Sequence, residues 1–134
     1  MRVVIDASTI VGAALKSGSI PRQALLAARD RHIILLSEPV FAEIDIVLAR
    51  PKFAQAITPE VRADIIGLLT VAAAWVKIDI SVQSCRDPKD NMYLELAAAG
   101  HADLIVSSDE DLLVLHPWRG VRILRPRRFL AEVD

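Results

Sequence analysis

The chain has a single cysteine, Cys85, among 134 residues. No intrachain disulfide can form, and a zinc site built from four thiolates is excluded. Histidine is almost as scarce. His32, His101 and His116 are scattered without ligand spacing, so no imidazole cluster is expected. Aromatic residues make up only 4% of the chain against 53% hydrophobic residues overall, so the core must be aliphatic. No apolar run is long enough for a bilayer. The longest, "IIGLLTVAAAWV" at 65–76, falls short of the roughly 20 residues a spanning helix needs. Asp6 interrupts the apolar N-terminus, which argues against a secretory signal. A reduced, cytoplasmic setting is the default expectation. Net charge is close to balanced at −1, so no overall basic character advertises nucleic acid. The charge is nevertheless polarised: "RGVRILRPRR", 119–128, holds five arginines and no acid.

The length suits one domain, expected to span 1–134. There is no repeat, low-complexity tract or Gly/Ser linker. Strand-like and helix-like periods alternate along the chain. Strands are expected at 2–6, 33–37, 75–78, 103–107 and 121–124. A helix opened by Ser8 or Thr9 and closed near Gly18 follows the first strand. Further helices are expected at 21–30, 38–50, 58–74 and 87–100, with Thr58 and Asp87 as caps and Gly100 as a terminator. A short helix over "DEDLLVL" and a last turn over "PRRFLAE" complete the chain. Strands alternating with helices imply parallel pairing, and continuously apolar strands imply helices on both faces. The predicted fold is α/β, a three-layer α/β/α sandwich around a short central parallel sheet.

Ligand sites of such sheets lie outside the carboxyl ends of the strands. Asp6 ends the first strand, and Asp109 follows the strand at 103–107. Asp90 lies in the first turn of the helix opened by Asp87. Glu43 lies about 60° to one side of the stripe formed by Val40, Phe41, Ile44, Val47 and Leu48. Each acid has a plain structural explanation. Asp87 is a good N-cap, and Asp90 three residues later makes an acidic capping box. Ser107 with Glu110, and Ser108 with Asp111, have the same spacing, which leaves Asp109 unneeded for capping. Glu43 alone would pass for a surface glutamate with a buried stem. Asp6 is the hardest to explain, because Ser8 and Thr9 already offer caps. Together the acids pose an electrostatic problem. Two carboxylates about 4 Å apart repel by roughly 4 kcal/mol at an effective dielectric near 20. Either some are protonated or a cation sits among them. Oxygen ligands without organised His or Cys select Mg²⁺ or Mn²⁺. Such a cluster can activate a water and stabilise charge on a phosphoryl oxygen.

The order "VIDAST", "EPVFAEI", "DPKDNMYLELA" and "IVSSDEDLL" resembles the PIN domain, a family of metal-dependent ribonucleases. It looks closest to the small prokaryotic members that act as toxins of toxin–antitoxin pairs, the VapC-like group. The resemblance covers nearly the whole chain. It implies Mg²⁺ or Mn²⁺ held by Asp6, Asp90 and Asp109, with Glu43 nearby. Asp87 and Asp111 would act around that set, and Ser107 or Ser108 matches the hydroxyl residue often found before the last acid. It also implies hydrolysis of an RNA phosphodiester to a 5′-phosphate, a homodimer, and an antitoxin protein that reaches into the acidic groove. Cations for holding RNA are few: Lys16, Arg22, Lys89 and the arginines of 119–128. No aromatic platform for stacking bases is evident. The competing possibilities are a catalytically inactive PIN-like module that binds RNA or protein, and another acid-pocket protein such as a phosphatase or receiver domain. An inactive module would be expected to lose one or two acids. The phosphatase pattern wants an acid at residue 8, where Ser8 stands. A receiver would have only Asp79 in "WVKIDIS" as its acceptor.

Overall fold

The computed structural model describes residues 1–133. Five parallel strands form its centre: β1 Arg2–Ile5, β2 Ile33–Leu36, β3 Ala74–Trp75, β4 Leu104–Val106 and β5 Arg122–Leu124, in the order β3-β2-β1-β4-β5. Seven helices flank them: α1 Ala7–Leu15, α2 Ile20–Arg31, α3 Glu38–Leu48, α4 Pro59–Ala72, α5 Asn91–Ala99, α6 Glu110–Leu113 and α7 Pro126–Glu132. This is the α/β/α sandwich that the alternating pattern predicts. Val3 and Val4 of β1, and all three residues of β4, are fully buried. That is the cost-free state for continuously apolar strands covered on both faces. None of the helices among the described residues is long and apolar enough to cross a membrane.

The register pairs Val4 with Leu35 on one side and Ile105 on the other. β1 is therefore central, and the chain runs from it first towards β2 and later returns to β4. The carboxyl ends of β1 and β4 lie side by side where the strand order reverses. That crevice is the default ligand position of an open parallel sheet.

The strand-to-helix junctions on this edge are abrupt, and they correct several expectations. Ser8 and Thr9 do not open α1; Asp6 does. Its extended backbone ends β1 and its carboxylate accepts from Thr9 N. Asp6 is the single residue between β1 and α1, so it is the one placed to cap. Ser37 likewise caps α3, accepting from Val40 N. This ends β2, so β3 has little to pair with. The ladder stops after Leu36↔Trp75, and the expected strand at 75–78 is reduced to Ala74–Trp75. The expected helix at 87–100 starts as a 3₁₀ turn, Pro88–Asp90, and becomes α-helical only from Asn91. Gly100 ends it with φ −91°, and the left-handed residue is His101 at φ 54°. Glycine stands at 100 because a Cβ there would lie 2.8 Å from Leu35 Cδ1 and 3.2 Å from Val76 Cγ2.

Candidate metal centre

A cavity of about 380 Å³ opens at this edge, and Asp6, Glu43, Asp87, Asp90 and Asp109 all line it. They arrive from four places: the end of β1, helix α3, the two ends of the 88–90 turn, and the segment after β4.

Asp6 forms the floor and is 2% exposed. A buried carboxylate must find donors, and this one finds four. Thr9 N and Thr9 Oγ1 donate to Oδ1 at 3.0 and 2.9 Å. Ser8 Oγ reaches Oδ1 at 2.8 Å and Oδ2 at 2.9 Å. Ser107 Oγ donates to Oδ2 at 2.5 Å. Burial still dominates and raises the Asp6 pKa, with the hydrogen bonds from Ser107, Thr9 and Ser8 pulling the other way. The hydroxyls that sequence spacing suggests for capping are thus turned onto Asp6.

Asp109 caps α6: its Oδ1 accepts from Asp111 N at 2.9 Å, and its own N–H donates to Ser107 Oγ at 2.9 Å. The capping boxes expected for Ser107 with Glu110 and Ser108 with Asp111 do not form. Ser107 is buried and committed to Asp6, so the next residue that can cap is Asp109. Ser108 is exposed and enters only through its backbone, donating to Ser8 Oγ at 3.2 Å.

Asp87 caps the 3₁₀ turn by accepting from Lys89 N at 3.1 Å. The reciprocal arm of the expected acidic box is missing, because Asp90 turns its carboxylate inwards. Its Oδ2 is buried with no hydrogen-bond partner. The Asp90 pKa is raised to about 7, first by burial, then by its hydrogen-bonding contact with Asp109 and that group's charge, then by Asp87 and Asp6. Two carboxyl groups in contact cannot both ionise cheaply without a cation. Asp87, Asp90 and Asp111 each place a carboxylate oxygen within 4.8 Å of the others. Asp90 therefore belongs both to this triad and to the cavity that Asp6 and Asp109 line. Asp111 is not among the cavity residues and also pairs with Arg86 at 2.9 Å.

Several contributors escape sequence reasoning. Tyr93, 2% exposed, lines the cavity, and its hydroxyl accepts the first amide of α1, Ala7 N, at 3.1 Å. Burial, followed by the Asp6 charge, keeps its phenol protonated well beyond the usual range. It stands three residues after Asp90 on the same helical side, a spacing that could have flagged it. Arg50 and half-buried Phe53 also line the cavity, and nothing in their spacing points there. Phe53 and Tyr93 are thus aromatic rings at the cavity, which the sequence did not point to. Of the cations named from sequence, only Lys89 lines it. Arg22 bonds Ala13 O at 3.3 Å. The 119–128 arginines are largely engaged locally: Arg122 and Arg128 with Glu132, Arg125 with Glu110, and Arg119 over the Trp118 ring.

The donor set fits a hard divalent cation. It is all oxygen, it holds an unpartnered buried carboxylate atom, and its Asp90 carboxyl is pushed up to about 7 by burial first and by the neighbouring acids after it. Asp90, with Asp109 and Asp87 beside it, is the group best disposed to hold such an ion.

Comparison with known proteins gives a consistent picture. A family model for the PIN domain matches residues 2–111. No curated protein matches the sequence. Among solved structures, one chain of the crystal structure of VapBC2 from Rickettsia felis, bound to a DNA fragment from its promoter, is similar with a TM-score of 0.60. The likeness covers 92% of this chain and 97% of that one at 11% identity, and so is a likeness of fold. With the family model spanning both ends of the acidic cavity, from Asp6 to Asp109, the chain belongs to the PIN domain family.

Proposed function

We propose that this protein is a Mg²⁺- or Mn²⁺-dependent endoribonuclease and the toxin of a toxin–antitoxin pair. The observation that carries this is the cavity lined by five carboxylates, with the Asp90 Oδ2 atom buried and unpartnered among them. Asp6, Asp90 and Asp109 hold the ion, with Glu43 beside them and Asp87 and Asp111 extending the acidic wall. A bound ion supplies Lewis acidity: it lowers the pKa of a water and offsets charge building on the phosphoryl oxygens. The chain's own groups do the rest. Ser107, Ser8 and Thr9 fix the Asp6 carboxylate. Asp109 is fixed by its capping bond to Asp111 N. Glu43 stands at the cavity wall as the base for the attacking water. Glu43 takes a proton from that water as it adds to phosphorus, the P–O3′ bond breaks, and O3′ gains a proton from solvent, leaving a 5′-phosphate and a 3′-hydroxyl.

RNA rather than DNA is supported by the sequence likeness to the toxin group. The fold likeness to a chain of a VapBC2 complex supports an antitoxin partner. Exposed Ile46, Val71 and Trp75 leave apolar surface for such a partner or for a second copy in a homodimer. The setting is cytoplasmic. An assay of labelled RNA with Mg²⁺, with Mn²⁺ and with EDTA tests the activity. Cleavage only with the metals, lost in Asp109→Asn, is the expected result. Equal cleavage by Asp109→Asn would overturn it.

A further inference from the structure

Two cations at the cavity behave oddly for their surroundings. Arg50 and Lys89 are both exposed and both line a cavity with five carboxylates. Neither makes an ion pair among the described residues, although the arginines of 119–128 readily find acids elsewhere on the surface. They come from two different elements. Lys89 sits in the 3₁₀ turn between Asp87 and Asp90. Arg50 caps the other 3₁₀ turn, Pro51–Phe53, just after α3. The floor of the cavity, Asp6 and Tyr93, is buried, so these exposed residues stand at its rim.

The turn after Arg50 adds a ring. Phe53 N donates to Arg50 O at 3.0 Å, closing the turn between them. Arg50 and Phe53 both line the cavity. The Lys52 ammonium lies 5.1 Å from the centroid of the Phe53 ring. A cluster of carboxylates repels a polyanion, so a site that admits one needs positive charge at its rim and a surface for the base. The segment 50–53 and Lys89 supply both.

We propose that Arg50, Phe53 and Lys89 form a subsite for a single-stranded nucleotide adjoining the phosphodiester presented to the acids. Arg50 and Lys89 hold phosphates, and Phe53 stacks the base in exchange for the Lys52 ammonium. These are substrate-positioning residues. The proposal rests on the ribonuclease reading above and adds to it where the strand lies.

Binding of a labelled single-stranded oligoribonucleotide is measured by fluorescence anisotropy with Ca²⁺, a hard cation that oxygen ligands accept, across a salt series. Arg50→Gln and Lys89→Gln should each weaken binding about 10-fold, the size of one lost charge-assisted contact. Each should also flatten the log–log salt dependence by about 0.7, a change that loss of structure alone would not give. Phe53→Leu keeps apolar volume and should weaken binding about 10-fold with the slope unchanged. Calorimetric Mn²⁺ affinity should stay within about two-fold of wild type in all three, since none of them is a ligand. If Phe53→Leu unfolds, the two charge variants decide. Wild-type affinity and slope in both would overturn the subsite while leaving the ribonuclease reading intact wherever wild type still cleaves. A wild type that neither binds nor cleaves RNA would overturn both.

Discussion

Ser107 Oγ lies 2.5 Å from Asp6 Oδ2, joining the carboxyl ends of β1 and β4 across 101 positions of the chain. Both residues are buried. The same hydroxyl accepts from Asp109 N. One side chain thus couples two of the acids proposed to hold the ion. Ser107→Ala leaves a buried carboxylate short of a donor, which should cost about 1–3 kcal/mol of stability. Removing an outer hydrogen-bond partner of this kind typically lowers metal affinity or activity roughly 10–100-fold. Denaturant unfolding and RNA cleavage, measured on the same preparation, check the two effects. An Ala variant as stable and active as wild type would show that the bond does not matter.

Asp6→Asn, Asp109→Asn and Glu43→Gln should separate roles. Asparagine is as good an N-cap as aspartate, so Asp109→Asn should keep α6 and its fold. Cleavage should be lost in both Asn variants. Glu43→Gln should be milder if Glu43 acts on water and is not the main ligand. Circular dichroism and initial cleavage rates are the readouts; a wild-type rate in Asp6→Asn would refute the metal assignment.

The raised Asp90 pKa makes a signed prediction. Burial and the neighbouring acids push the folded carboxyl up to about 7 from an ordinary 3.8, so between these values the unfolded chain has already released its proton while the folded one retains it. Stability contributed by this group should fall as pH rises from about 4 to about 7, then level off. Without divalent ions, melting temperatures of wild type should decline over that window more steeply than those of Asp90→Asn. Added Mg²⁺ should remove the difference at pH 7 and above. Metal affinity should rise with pH up to about 7, because binding must displace the shared proton.

Tyr93→Phe removes the acceptor of Ala7 N, the first amide of α1. An orphaned amide at a helix start costs about 1–3 kcal/mol. The loss should appear in thermal unfolding, with α1 amides exchanging faster by hydrogen–deuterium exchange. Unchanged protection would show that another group takes the bond.

The fold was legible because β2 and β4 are continuously apolar, a pattern that points to helices on both faces of the sheet. Asp6 and Asp109 were legible as edge residues because parallel topology brings the carboxyl ends of their strands together. The roles of the hydroxyls were less so. Capping spacing is the same whether a serine bonds its own helix or turns to a buried carboxylate, and only the absence of a loop after Ile5 decides it. Arg50 and Phe53 left no sequence signal, because a 3₁₀ turn after a helix can face anywhere. The arginines of 119–128 stood out by composition, yet Glu110 and Glu132 take up three of them. Sequence proximity carries no information about those pairings.

The most direct test of the central claim is the position of Mn²⁺ located by anomalous scattering in crystals grown with the ion. The account predicts a peak in the acidic cavity within bonding distance of an Asp90 oxygen, with Asp6 and Asp109 as the further protein ligands. Full Mn²⁺ occupancy elsewhere on the protein, with the cavity empty, would contradict it.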